Sequence, residues 1–558
     1  MKYLRGHIVW SLPEASTIAL PDLLNQVAIR RGLSTEDSKD QDYTLINDGD
    51  LLPDIAAAVS HLSGLIGTTH EVVVYGDYDI DGLTATTLVV SVLKDLGISV
   101  RPYIPDRFEE GYGLNIAALE EIAAQGVHTV VTVDCGSTAV EPIRRAHELG
   151  LRMIITDHHL VGSTEPTDVV AHINPQRAIN KYAQPGIAGV GVAWHLMRAL
   201  QKAHFDTIPD GQEKWWLDLV ALGTVCDVVP LVGDNRIFTQ YGLKVLAQTR
   251  RPGLLALAAV AGVELDRVQA SDLGFRFGPR LNASGRLEHA KLSLDVLLAS
   301  SREEADGYAR QLDQLNTKRQ GLVTTILQEA REQAIVQSDR PFIVAAHADW
   351  SHGVAGLIAG RLAEEFMKPA IVLQIEGDEA KGSARTFGGI HVLEALRSAD
   401  ELLIKYGGHA AAAGLTVRTV DIASLQAQLC AAVSKLPKSD WQDVRLADVW
   451  LDSSYVSSAG LRAIKAFEPT GRGHEAIVFV VEATITGLRW VGADQSHAQI
   501  QLTFDGVTHR VMAFQALRLW PWLDSGKNVR CYLQLVGNVW QGVERPDLHA
   551  VDIELINE

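Results

Sequence analysis

The sequence predicts an α/β protein of several domains: a parallel-sheet unit first, a second and smaller α/β unit joined to it by a long helix, and a C-terminal β-barrel. Three observations predict it. Between residues 70 and 175 short β-branched runs alternate with helical segments; the same alternation resumes near 341; and beyond about 490 apolar and polar residues alternate with period two. With 558 residues and 47% hydrophobic content the chain exceeds what one core can serve, so three or four domains are expected.

In the first unit "EVVVYG" reads as a strand, "LTATTLVVSVLKDLG" as a helix closed by Gly97, "VHTVVTV" as a strand, "AVEPIRRAHELG" as a helix and "LRMIIT" as a strand. Wholly apolar strands separated by helices indicate a parallel sheet covered on both faces. Residues 301–338 read as one long helix, with Tyr308, Leu312, Leu315, Leu322 and Ile326 at helical spacing; Arg319 interrupts the seam and Gly321 weakens it. Next come the strand "FIVAAH", the helix "GVAGLIAGRLAEEF", the strands "AIVLQ" and "KGSART", a helix over "HVLEALRSADELLIKYG", and the small-residue run "GGHAAAAG". The polar, proline-containing "KLPKSDWQDV" marks a break, and "AQIQLTFDGVTHRVMAF" and "NVRCYLQLVGNVWQG" read as antiparallel strands around turns. The expected division is 1–298, 299–338 for the connecting helix, 339–436, and 437–558 for the barrel, with the N-terminal extension counted in the first domain.

The formal charge of −18 argues against a protein that coats nucleic acid non-specifically, because phosphate binding rests on Lys and Arg. A local cationic site remains open: in "GFRFGPRLNASGR", Arg276, Arg280 and Arg286 stand close together with no acid among them. The four cysteines, Cys135, Cys226, Cys430 and Cys531, stand singly, which speaks against a disulfide framework or a structural zinc and for a reducing cytoplasm. The N-terminus lacks the apolar core of a signal peptide, and no run approaches the roughly 18 apolar residues of a membrane span. A soluble cytoplasmic protein is the expectation.

The stretch "VVVYGDYDIDGLTATTLVV" sets Asp77, Asp79 and Asp81 at alternate positions directly after a strand. Taken alone, an acidic helix-capping loop explains it as well as a metal does. Other segments repeat the placement: Asp134 in "VDCGS", Asp157, His158 and His159 in "TDHHL", the polar "INPQ", and Asp227 in "LGTVCDVVPL". Ligands of open α/β sheets bind at the carboxyl ends of the strands, so these groups converge on one edge. Carboxylates gathered there repel unless cations lie between them. An oxygen-rich set with a minority of nitrogen suits Mn²⁺ or Mg²⁺ better than zinc.

The ordered set "DYDIDG", "DCGS", "DHH", "CDVVPL", "GPRLNASGR" and "GGHAAAAG" resembles the DHH phosphoesterase superfamily, and within it the RecJ single-strand DNA exonucleases, from about residue 70 to 415. The C-terminal barrel fits that family's oligonucleotide-binding (OB) domain. The resemblance implies two divalent cations, Mn²⁺ or Mg²⁺, held by Asp79, Asp81, Asp134, His158 and Asp227, with Asp134 as the bridge. It implies Asp77 acting through water or behind the ligands, His159 donating a hydrogen bond to the scissile phosphate, and Asp157 orienting the imidazoles. Arg276, Arg280, Asn282 and Arg286 would grip the strand; Arg107, Ser383 and Arg385 would recognise its 5′ phosphate; His409 would touch phosphate; Tyr112 and Phe387 are candidates for stacking on bases. The implied activity is 5′→3′ hydrolysis of single-stranded DNA to mononucleotides in repair and recombination. A monomer is expected, and a single-strand DNA-binding protein and a helicase are implied as partners. Two rivals remain: a DHH phosphodiesterase of short RNA or cyclic dinucleotides, and a non-catalytic DNA-binding relative. Blander roles also exist for single residues: a helix-terminal acid at Asp227, a structural imidazole at His159, a solvated basic loop around Arg280, and plain buried thiols at Cys135 and Cys226.

Overall fold

Five strands form the first sheet: β1 (Val72–Gly76), β2 (Val100–Tyr103), β3 (Thr129–Val133), β4 (Arg152–Thr156) and β5 (Ala171–Ile173), all parallel and in the order β2-β1-β3-β4-β5. This is a computed structural model, and it describes residues 7–14, 18–33, 41–107, 110–111 and 113–556. Side chains alternate across a strand, so Val72 and Val74 enter one core while Val73 and Tyr75 enter another. That double burial is why the strands are apolar throughout. The edge strand β2 went unread in the sequence because its "VRPY" is only half buried and carries Arg and Pro. The strand order reverses between β1 and β3, which opens a crevice at their carboxyl ends. Helix Ile80–Asp95 starts in that crevice and is buried along nearly its whole length, including Thr84, Thr86 and Thr87.

The chain divides into two compact units, Ala15–Leu315 with Asp448–Glu558, and Met1–Glu14 with Asn316–Ala447. The first holds the parallel sheet and a barrel. Strands Phe479–Val491, His497–Phe504, Val507–Ala513, Val543–Leu555 and Asn528–Trp540 follow one another around the barrel, and pairing of Phe479–Thr484 with Asn528–Leu533 closes it. Helix Leu23–Arg31 belongs to this core: Leu23 and Val27 are fully buried in it, and Arg31 forks onto both oxygens of Asp448 at 2.7 Å. Residues 18–33 therefore go with the barrel rather than with the sheet domain, as the sequence division had them.

The second unit carries a five-stranded sheet in the order Leu403–Gly408, Ala412–Arg418, Glu379–Arg385, Ala370–Glu376, Ile343–His347, parallel only at its last pair. Strand Ile8–Ser11 pairs in parallel with Asp443–Leu446, which sets residues 443–446 in this unit rather than in the barrel. The expected helix over "HVLEALRSADELLIKYG" is helical only at Val392–Arg397; Leu403–Gly408 is a strand, hydrogen-bonded across a tight turn to Ala412–Arg418. Sheet pairing overrides helix propensity there, since Leu403 and Tyr406 pack on the core. Helix Arg302–Val336 runs unbroken for 35 residues. No helix among the described residues is long and apolar enough to cross a membrane.

Candidate metal centre

Each strand end delivers its side chain through a local device. After β1, Asp79 caps helix Ile80–Asp95, its Oδ1 accepting the amides of Asp81 (2.9 Å) and Gly82 (3.2 Å). The capping loop and the acid cluster are thus the same residues. Asp81 is buried, and its two oxygens accept the amides of Gly189 (2.6 Å) and Val190 (2.9 Å) at the start of helix Gly189–Ala203, where the helix dipole favours a negative charge. Asp134, after β3, stands at φ 61, a left-handed conformation that aspartate tolerates better than most residues.

After β4, Asp157 Oδ1 accepts the amides of His158 (2.7 Å) and His159 (3.1 Å) and lies 2.8 Å from His159 Nδ1, while its Oδ2 accepts the Ser137 amide at 2.9 Å. Behind them Asn174 donates to Ser137 Oγ (2.7 Å) and to the His159 carbonyl (2.9 Å). Asp227 closes helix Leu217–Cys226, its amide bonded to the Gly223 carbonyl at 2.9 Å.

These devices bring the groups to one point. His158 Nε2 lies 3.2 Å from Asp134, 3.6 Å from Asp227 and 3.8 Å from Asp81. Three sets place their ligand atoms within 4.8 Å of one another: Asp77, Asp79 and Asp134; Asp134, His158 and His159; Asp81, His158 and Asp227. Asp134 belongs to two of them. Among the described residues, Asp77 Oδ1, Asp134 Oδ1 and His158 Nε2 are buried without a hydrogen-bond partner. Buried polar atoms are normally paired, so three converging ones fit bound cations, and the mixture of carboxylates with imidazole suits Mn²⁺ or Mg²⁺.

The electrostatics agree. Burial, followed by repulsion from Asp79, holds the Asp77 carboxyl well above the usual range; burial with repulsion from Asp81 and Asp79 does the same at Asp134. The same causes push Asp81 up to about 7 and Asp227 up to about 9. Burial, aided by the neighbouring His159 charge, lowers His158 to about 4, so its ring is neutral and able to ligate. At His159 burial is outweighed by the hydrogen bond and charge of Asp157, which raise it to about 9. Asp157 itself is held below its ordinary value: burial opposes this, but the hydrogen bond and charge of His159 prevail. Burial also pushes the Cys135 and Cys226 thiols up, so both are neutral packing groups.

A pH dependence follows. Free aspartate titrates near 3.9, so between about pH 4 and 9 the metal-free folded state binds more protons than the unfolded chain at Asp81 and Asp227, and its stability falls as pH rises through that window. A cation bound among these carboxylates would replace those protons. The rise in Tm on adding Mn²⁺ is therefore expected to be larger at pH 8.5 than at pH 6, as thermal unfolding with Mn²⁺ and with EDTA would record; a pH-independent increment would contradict the cluster.

The remaining candidates scatter. Arg107 sits over the Tyr78 ring at 5.3 Å, and the charges of Arg107 and Arg286 both act on the Tyr78 phenol, so these two arginines flank the acidic loop. Asn282 is half-buried on the same helix as Arg286, Gly278–Leu287. Arg280 and Arg276 are engaged elsewhere: Arg280 pairs with Asp313 at 2.9 Å and donates to the carbonyls of Arg276 and Val260, and Arg276 pairs with Asp272 at 3.4 Å. The acids missing from their own segment come from its flanks.

Ser383, Arg385 and His409 lie in the second unit. A side chain at Gly356 would fall 2.5 Å from Arg385 Nη2 and 3.3 Å from Ser383 Oγ, so guanidinium and hydroxyl converge on the first turns of helix His352–Phe366. His409 is exposed in the hairpin turn, its amide bonded to the Ala412 carbonyl at 2.8 Å. Phe387 is buried, edge-on to His7, and unavailable for stacking; Tyr112 lies outside the described residues. Sequence reasoning singled out "VDCGS" and "INPQ" without naming Ser137 and Asn174 in them, and it missed the Gly189–Val190 amides, for which the glycines of "GIAGVGV" opening a helix were the readable signal.

Three family models match: the DHH family N-terminal domain over residues 71–224, the DHHA1 domain over 339–435, and the RecJ OB domain over 447–552. The single-stranded-DNA-specific exonuclease RecJ of Haemophilus influenzae is 33% identical over 572 aligned positions, covering 98% of both chains. RecJ of Thermus thermophilus with Mn²⁺ superposes with a TM-score of 0.85 at 27% identity, covering 99% of this chain and 80% of that one; its complex with Mg²⁺ gives 0.76 at 26% identity, covering 99% and 79%. With the strand-end acids, the paired histidines and the terminal barrel in place, this chain belongs to the RecJ family of DHH exonucleases.

Proposed function

We infer that this protein hydrolyses single-stranded DNA from the 5′ end, releasing mononucleotides. The observation that carries the reading is the convergence of five aspartates and two histidines on the β1–β3 crevice with three of their buried atoms left unpaired. Asp79, Asp81, Asp134, His158 and Asp227 would hold two divalent cations. Such a pair would supply an activated water and charge stabilisation at both oxygens of an in-line displacement. Asp157 orients the His159 ring and holds the His158 backbone amide, and His159, protonated against Asp157, donates to a phosphate oxygen. Asp77, whose unpaired Oδ1 lies beside Asp79 and Asp134, would reach a cation through water. Arg107, Arg286 and Asn282 steady the backbone beside the acidic loop, whereas Arg276 and Arg280 are tied to Asp272 and Asp313 and to the carbonyls of Gly262 and Val260. The exposed aromatics Phe514 and Trp540 suit the barrel to holding a strand by base stacking.

Digestion polarity tests this. A 5′ label should appear at once as mononucleotide while a 3′-labelled strand shortens gradually, and the reverse order would overturn the orientation.

In the second unit the Arg385 fork and the Ser383 hydroxyl beside a helix N-terminus suit a terminal phosphate. His409 offers a further phosphate contact. Strands with a 5′ phosphate are expected to be degraded about tenfold faster than 5′-hydroxyl strands, the effect of one lost charge-assisted contact, and Arg385→Ala should erase that preference. Discrimination that survives in the mutant would exclude this pocket.

The assignment of 71–298 to catalysis, 339–436 to gripping the strand end and 448–558 to holding the strand is part of the same reading. So are a cytoplasmic location, supported by four unpaired cysteines, a monomeric state, and cooperation with a single-strand DNA-binding protein and a helicase, supported by the family alone.

A further inference from the structure

Directly after Asp227 the backbone does something costly. Val228 stands at φ 61, a left-handed conformation that a β-branched residue rarely adopts. The restraint comes from a distant part of the chain, the segment Pro469–His474 at the entry to the barrel. Arg472 grips the loop twice: its carbonyl accepts the Leu231 amide at 2.7 Å, and its Nη1 reaches the Val228 carbonyl at 3.3 Å. The glycines on either side allow the approach. A side chain at Gly471 would fall 2.7 Å from Leu231 Cδ1, and one at Gly473, itself at φ 73, would fall 3.1 Å from Pro230 Cβ.

The segment is anchored in turn. Arg236, fully buried, donates to the carbonyls of Pro469 (2.7 Å), Phe467 (3.1 Å) and Glu468 (3.2 Å). His474 stacks on Phe467 with ring centroids 3.9 Å apart and contacts its carbonyl at 2.9 Å.

We propose that Pro469–His474 is a positioning element of the metal centre, and that Arg472 holds the strained Asp227–Val228 step so that the Asp227 carboxylate faces His158 and Asp81. This deepens the reading above and rests on Asp227 being a metal ligand. The barrel domain then takes part in building the catalytic site as well as in holding DNA.

The test is Mn²⁺ binding to the DNA-free full-length protein by calorimetry, for wild type, Arg472→Ala and Arg472→Lys. Arg472 is exposed, so both variants should fold with unchanged circular dichroism. Arg472→Ala is expected to weaken one of two Mn²⁺ sites by roughly 10- to 100-fold, the usual effect of losing a ligand-orienting contact, and Arg472→Lys to recover part of it. In turnover, Arg472→Ala should require more Mn²⁺ for the same kcat while KM for DNA is unchanged. Unaltered Mn²⁺ binding together with a raised KM would make Arg472 a DNA contact and overturn the proposal. Wild-type protein that binds two Mn²⁺ yet leaves single strands intact would instead sink the exonuclease reading alone.

Discussion

Asp134→Asn is expected to lower turnover by on the order of 10³-fold, the scale at which removal of a preorganised charge from an active site is felt, while leaving the fold intact. Asparagine is preferable to alanine as the probe because the residue stands at φ 61, which asparagine adopts readily. In the metal-free protein burial and repulsion from the surrounding acids disfavour the Asp134 charge, and asparagine has nearly the same shape without a charge. Metal-free stability should therefore change by less than about 1 kcal/mol. The Tm increment on adding Mn²⁺ should shrink sharply, because Asp134 belongs to two of the three ligand sets. A variant that retains wild-type turnover would remove Asp134 from the centre.

Gly189→Ala should also be costly, by a factor about tenfold smaller, although it replaces none of the acids or histidines. The added methyl would lie 2.7 Å from Asp134 Oδ1 and 2.9 Å from its Cβ, so either Asp134 or the start of helix Gly189–Ala203 must shift. If the helix shifts, the two amides that hold Asp81 go with it. Misplacement of about 1 Å at a reacting centre costs on the order of 10²-fold, and that loss in kcat is expected here with weaker Mn²⁺ binding. Gly307→Ala is the control: nothing lies within 4 Å of its added carbon, so it should leave both quantities unchanged. Equal behaviour of the two variants would show that the close approach is not a constraint.

Much of the first sheet was legible because double burial writes itself as unbroken apolar runs, and the acids gained meaning because several such runs end in them. Asp77, Asp79, Asp81, Asp134, Asp157, His158 and His159, with Asp227 after a helix, stood out as a group by their placement, while their separate roles came from the family resemblance. What supports them was harder to read: the glycines of "GIAGVGV" mark a helix start, but that the amides of Gly189 and Val190 meet Asp81, and the hydroxyl of Ser137 meets Asn174, is set only by the packed fold. The arginines of "GFRFGPRLNASGR" show the opposite limit. A cluster without acids in its own segment reads as a free cationic site, yet Asp313 and Asp272 neutralise two of the three. Strand Leu403–Gly408 was hidden because its partner is a run of small residues whose pairing depends on the turn between them.

Strand Ile8–Ser11 finds its partner at Asp443–Leu446, and helix Leu23–Arg31 completes the core of a barrel whose strands begin at Phe479. During synthesis these early segments thus leave the ribosome long before the residues they pack against. At about 5 to 20 residues per second, the 435 residues between Ile8 and Asp443 take roughly 20 to 90 s to appear. For that interval the apolar face formed by Leu23 and Val27 has no partner. An N-terminal fusion that folds quickly should shield it, and raised yield of soluble full-length protein from such a fusion, relative to a C-terminal one, is the corresponding expectation.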